Sequence, residues 1–229
     1  YYKPRVDYEV LETYHEGIIA LSACLAGEVQ RYLARGMYEE ACRSARHYEE
    51  IFGKGNFFLE LQDHGISTQK TVNQGLMRMS RELSMDLVAT NDIHYILAED
   101  AAAHDILLCI QTGKKVSDEN RMRYEGGQYY VKSEEEMRAL FPYAQEAIDN
   151  THKIAERCNV EIEFGVTKLP KYEVPEGYDS WSYLNKLCQD GMAKRYPDDD
   201  GTLQKRLSYE LGVIHNMGYV DYFLFVWDF

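Results

Sequence analysis

The chain has 229 residues, 45% of them hydrophobic and 28% charged, which suits a globular protein with one large domain or two modest ones. Its formal net charge of −13 argues against a dedicated nucleic-acid grip, and the one basic cluster, Lys114-Lys115 with Arg121 and Arg123, reads as solvated loop. No signal peptide and no bilayer-length apolar run is present, and five scattered cysteines without a C-x-x-C pair exclude a zinc ribbon or disulfide framework and fit a reduced, cytoplasmic compartment.

The first two thirds alternate strand-like and helix-like segments. Residues 17–22 predict a short buried strand, and residues 29–33 and 38–52 predict helices broken at Gly36. Residues 56–62, rich in Phe and Leu, predict a second strand. Val72, Leu76, Met79 and Leu83 recur at helical spacing across residues 68–83. Residues 87–90 predict a third strand and residues 100–110 a helix. Strands alternating with helices of this length imply βαβ units around a parallel sheet, an α/β fold.

Beyond this the pattern changes. Residues 128–131 predict one more short strand. Ser133 and Glu136 form a capping box that opens a helix ending before Pro142, and a further helix runs to about Arg157. Pro170, Pro175 and Gly177 mark a linker over residues 167–178, separating a first domain, 1–166, from a second, 179–229. The second domain reads as helices over 181–195 and 203–217, the latter closed by Gly218. Asp198-Asp199-Asp200 reads as an exposed turn. The start at Tyr1 without a Met, and the stop inside the aromatic run 222–229, read as cut ends of a longer polypeptide.

Each predicted strand ends in groups able to bind a metal ion. Cys24 follows the first, near a helix start whose dipole favours a thiolate. Glu60, Asp63 and His64 close the second, and Asp92 and His94 follow the third. Three such endings on one side of a parallel sheet describe a chemical rim. Bland readings stand beside this one. Cys24 serves equally as a small buried apolar residue, Glu60 as the partner of a neighbouring base, and Asp63-His64 or Asn91-Asp92 as turn chemistry. His15, His47, His104, His152 and His215 lack ligand-like company. No G-x-S-x-G or Gly-rich phosphate loop supports a serine hydrolase or an ATPase.

The segments Tyr2-Lys3-Pro4-Arg5-Val6-Asp7, Leu21-Ser22-Ala23-Cys24-Leu25-Ala26-Gly27-Glu28-Val29 and Phe58-Leu59-Glu60-Leu61-Gln62-Asp63-His64-Gly65 recur in a known order. They are followed by residues 87–95, by Cys109-Ile110-Gln111-Thr112-Gly113-Lys114, and by Asp221-Tyr222-Phe223-Leu224. Together they resemble the alpha (catalytic) subunits of bacterial DNA polymerase III, the C-family replicative polymerases. The resemblance implies the later part of a distorted (βα) barrel of the polymerase-and-histidinol-phosphatase (PHP) type over 1–166. Past the linker it implies helices leading into a polymerase palm.

By the same resemblance Cys24, Asp92 and His94 fall on metal-ligand positions of that barrel, with Zn or Mn as the ion, whereas Glu60 and His64 are not carried over as ligands. The remaining barrel ligands would lie upstream of Tyr1. The palm's catalytic aspartates, which hold two Mg²⁺ ions for phosphoryl transfer, would lie downstream of Phe229. DNA, deoxynucleoside triphosphates, a proofreading exonuclease and a sliding clamp are the implied partners of the whole subunit, and the barrel serves either as a 3′–5′ nuclease or as a docking module. The alternatives are a free-standing PHP-type phosphoesterase and a non-catalytic interaction module.

Overall fold

A computed structural model describes residues 3–166 and 168–229. Tyr2, in the first resembling segment, and Thr167, at the expected start of the linker, lie outside the described residues. The chain divides into two compact units, one up to Val160 and one from Glu161 to Phe229.

The first unit is α/β. Three strands, β1 (Ala20–Leu21), β2 (Phe57–Leu61) and β3 (Leu87–Ala89), form a parallel sheet in the order β1-β2-β3. Ala20 lies opposite Phe57 and Leu59 opposite Leu87, so all three strands point their C-terminal ends the same way. All five residues of β2 are buried, which explains its unbroken apolar character around Glu60: a central parallel strand is covered on both faces. The crossovers are helical. Between β1 and β2 run α2 (Glu28–Ala34) and α3 (Tyr38–Phe52), and between β2 and β3 runs α4 (Ser67–Leu83). The core gathers Val29, Leu33, Ala41, Ala45, Leu59, Leu61, Val72, Leu76 and Met79 from these elements.

After β3 come α5 (Ala101–Thr112), α6 (Glu134–Leu140) and α7 (Gln145–Arg157). The expected capping box is present: Glu136 N–H donates to Ser133 Oγ at 3.2 Å and Ser133 N–H donates to Glu136 Oε2 at 2.8 Å. α7 packs along β3, and Asn150 Nδ2 donates to the Leu87 carbonyl at 2.8 Å.

Two expectations need correction. Residues 128–131 form no strand; the segment instead lies beside residues 94–96, with His94 N–H donating to Tyr129 O at 2.8 Å and Val131 N–H to Ile96 O at 3.2 Å. The basic cluster is not all free surface either. The Arg121 side chain is only 3% exposed and grips both Asp105 carboxylate oxygens at 2.6 Å. A helix absent from the sequence reading, α1 (Tyr8–Tyr14), opens the unit and is capped by Asp7.

The second unit is helical: α8 (Ser180–Arg195), α9 (Thr202–Asn216) and α10 (Val220–Asp228) enclose Leu184, Leu211, Val220 and Leu224. Asp199 is not merely a turn residue. Its two carboxylate oxygens accept from Leu203 and Gln204 N–H at 3.0 Å, satisfying donors at the start of α9. Asp221 Oδ1 accepts from Tyr172 N–H at 3.0 Å and Ser180 Oγ at 2.7 Å, tying the Pro-rich stretch to α10. Among the described residues no helix is long and apolar enough to cross a membrane.

Several carboxylates on the first unit are held below their ordinary range: Asp105 by Arg121, Asp149 by Arg138, and Glu136 by the Ser133 backbone N–H and the Tyr130 hydroxyl. A lowered native value contributes stability above the unfolded value of about 4, and that contribution is lost as pH falls through the native values. The urea midpoint is therefore expected to hold steady from pH 7 to about 5 and to fall below about 4. Arg138→Ala should flatten part of that acid limb, and an unchanged limb would exclude the Asp149 pair as a contributor.

Candidate metal rim at the strand ends

The residues following β1, β2 and β3 meet at one end of the sheet because the strands are parallel and in register. Asp92 and His94 come together there: His94 Nε2 lies 3.4 Å from Asp92 Oδ1, and both side chains are partly exposed. The His94 ring packs 4.3 Å from Tyr124 and 5.7 Å from Tyr129. His104, from α5, stands 5.4 Å from His94, so it has imidazole company that the sequence reading did not give it. Burial pushes the Tyr129 phenol up, and the nearby Asp92 carboxylate adds to that.

Cys24 lies beyond β1 and is exposed, not a buried apolar residue, and α2 begins only at Glu28. Among the described residues no group of three or more His, Cys, Asp or Glu side chains is placed to hold a metal ion. Asp92 and His94 offer one oxygen and one nitrogen donor, and Cys24 does not join them in a three-donor set. This chain's own donors therefore do not fit a metal ion as a complete site.

Beneath the rim lies a buried polar network. Glu60 is 8% exposed and has no basic partner among the described residues, contrary to the ion-pair reading. Its Oε2 accepts from Ala23 N–H at 3.0 Å; its Oε1 accepts from Gln62 Nε2 at 3.2 Å and from the Thr90 hydroxyl. One carboxylate thus joins the ends of all three strands, and neutral donors offset the cost of burying its charge. Gln30, 2% exposed, donates to Ser22 Oγ at 2.6 Å and Ala23 O at 2.8 Å.

His64 is 3% exposed, and both ring nitrogens are engaged. Gln69 Nε2 donates to Nδ1 at 2.9 Å, which leaves the proton on Nε2, donated to Asn91 O at 2.8 Å. Its ring stacks on Tyr129 at 4.3 Å with the planes 5° apart. Lys132 reaches Asn91 Oδ1 at 3.3 Å, and burial lowers its ammonium pKa.

Residues 1–64 match the family described as PHP domain, and residues 182–229 match the family described as bacterial DNA polymerase III alpha NTPase domain. The first match contains β1, β2 and Cys24 but stops short of Asp92 and His94. Together the sheet and these matches define a PHP-type α/β segment joined to a polymerase-associated one. Over its whole length the chain aligns with DNA polymerase III subunit alpha of Treponema pallidum at 45% identity and of Borreliella burgdorferi at 44%. It aligns with that of Campylobacter jejuni at 37%. The chain is thus similar along its whole length to DNA polymerase III alpha subunits, and it spans about a fifth of the length of the curated relatives it matches.

Proposed function

We propose that this chain is a piece of the catalytic alpha subunit of a bacterial replicative DNA polymerase, with the first unit contributing the later part of a PHP barrel and the second the approach to the palm. The observation that carries this reading is the alignment at 44–45% identity that covers both units from end to end. A free-standing phosphoesterase has no use for the second unit, whose sequence matches a polymerase family. Template-directed DNA synthesis, with DNA and deoxynucleoside triphosphates as substrates and Mg²⁺ at the palm, belongs to the whole subunit. So do contacts with a proofreading exonuclease and a sliding clamp.

Within that reading Cys24, Asp92 and His94 are ligands for Zn or Mn that residues elsewhere in the subunit complete, a role suited to soft sulfur, imidazole and carboxylate donors on one rim. The test uses a full-length alpha subunit carrying this segment. Asp92→Asn with His94→Ala is expected to lower bound Zn or Mn, read by elemental analysis, while primer extension persists. Unchanged metal content would overturn the ligand assignment. The 229-residue chain alone is expected to incorporate no nucleotide, and primer extension by it would overturn the proposed division of labour.

A further inference from the structure

Two non-glycine residues on the rim adopt positive φ: Ala23 at 68° and Asp92 at 41°. L-residues avoid this region because Cβ crowds the carbonyl, so the surrounding structure must hold them there. Each adjoins or is itself a ligand of the proposed metal site: Ala23 precedes Cys24, and Asp92 is one. The groups that hold them come from the end of the central strand β2.

Glu60 Oε2 accepts the Ala23 N–H, while Gln30 takes the Ala23 carbonyl, so both polar groups of the strained residue are pinned. On the other side, His64 Nε2–H fixes the carbonyl of Asn91, the peptide group entering Asp92. Gln69 locks the His64 ring by accepting from His64 N–H at 2.8 Å and donating to Nδ1. Glu60 accepts from three donors that tie it to the ends of all three strands, and both ring nitrogens of His64 are engaged, so His64 keeps no lone pair for an ion.

We propose that Glu60 and His64 are positioning residues, Glu60 setting the backbone that presents Cys24 and His64 the backbone that presents Asp92 and His94. This rests on the ligand reading above and deepens it: the backbone at Cys24 and at Asp92–His94 is set by two buried side chains that the ligand reading does not use.

The test needs no metal and uses the full chain. In the unsubstituted protein, long-range ¹⁵N spectra are expected to show His64 as the Nε2–H tautomer, and HN–Hα couplings to place Ala23 and Asp92 at positive φ. An Nδ1–H tautomer, or ordinary negative φ at both residues, would overturn the proposal without any variant. Glu60→Met removes the acceptor and should move the Ala23 coupling and raise the alkylation rate of Cys24 several-fold, while the rate at exposed Cys158 stays constant. Glu60→Gln keeps an oxygen for Ala23 N–H and should restore both. His64→Phe keeps the stack on Tyr129 but loses the donor, and should move the Asp92 coupling alone; His64→Gln returns a donor and should rescue it. Loss of global stability with both couplings unmoved would reduce the pair to packing and overturn the proposal. If the couplings respond as described but the Asp92/His94 substitutions leave metal content unchanged, the positioning stands and the ligand reading falls.

Discussion

Phe141→Ala is expected to cost the first unit about 3–5 kcal/mol, the range for deleting a fully buried aromatic side chain. Phe141 is 0% exposed and belongs to the main core cluster. It also sits at a corner. Its N–H closes α6 on Met137 O at 3.0 Å, and its carbonyl accepts from Ala144 N–H at 3.1 Å and Gln145 Nε2 at 2.9 Å. The ring therefore anchors the turn that sends α7 back along β3, the strand that delivers Asp92 and His94. The loss combines apolar transfer and a cavity that a backbone already fixed by these bonds cannot collapse to fill. Against a typical total of about 5–15 kcal/mol it would remove much of the margin. A urea titration followed by circular dichroism checks this. A loss under about 1 kcal/mol would mean the site collapses freely, contrary to the pinned turn.

How much of this was legible in the sequence depends on where each signal came from. The three strands and the helices between them were readable because β2 and β3 are short apolar runs and α3 and α4 carry apolar residues at helical spacing. The parallel order followed from the crossovers. α1 was missed because it is only seven residues long and fully buries none of them, leaving Tyr8 and Leu11 as a short apolar pair against the core; Asp7 as an N-cap was the clearest available sign. α10 was missed because Tyr, Phe, Val and Trp dominate it, and these favour strands until tertiary packing of Val220 and Leu224 decides otherwise. The segment 128–131 carried the same composition, but it meets residues 94–96 through isolated bonds rather than a ladder.

At the rim, the nearness of Asp92 and His94 could be read from their spacing alone. The roles of Glu60 and His64 could not. Their partners lie 37, 30 and 27 residues away, at Ala23, Thr90 and Asn91, and only strand register brings them together. For the same reason His104, in a helical context ten positions after His94, looked like a surface histidine until α5 placed it against the His94 ring.

Gly27→Ala is expected to destabilise the first unit by about 1–3 kcal/mol, the cost of forcing a group into a filled site. Flexibility is not the reason. Gly27 has φ −62°, which any residue adopts. The obstacle is space: a Cβ there would stand 2.3 Å from Ser22 O, 3.0 Å from Cys24 O and 2.9 Å from Gln30 Oε1. Two of these are backbone atoms, which cannot swing aside as a side-chain tip can. Their displacement would propagate, because Ser22 Oγ receives both the Glu60 N–H at 2.8 Å and the Gln30 amide, and Gln30 in turn holds Ala23. Gly27→Ala should therefore act on the Cys24 loop as Glu60→Met does, raising Cys24 alkylation while Cys158 stays constant. Because both substitutions disturb one network, the double variant should lose less stability than the sum of the singles. Additive losses in urea titrations would mean that Gly27 and Glu60 hold the loop separately, and that the close approach at Gly27 serves only the seating of α2.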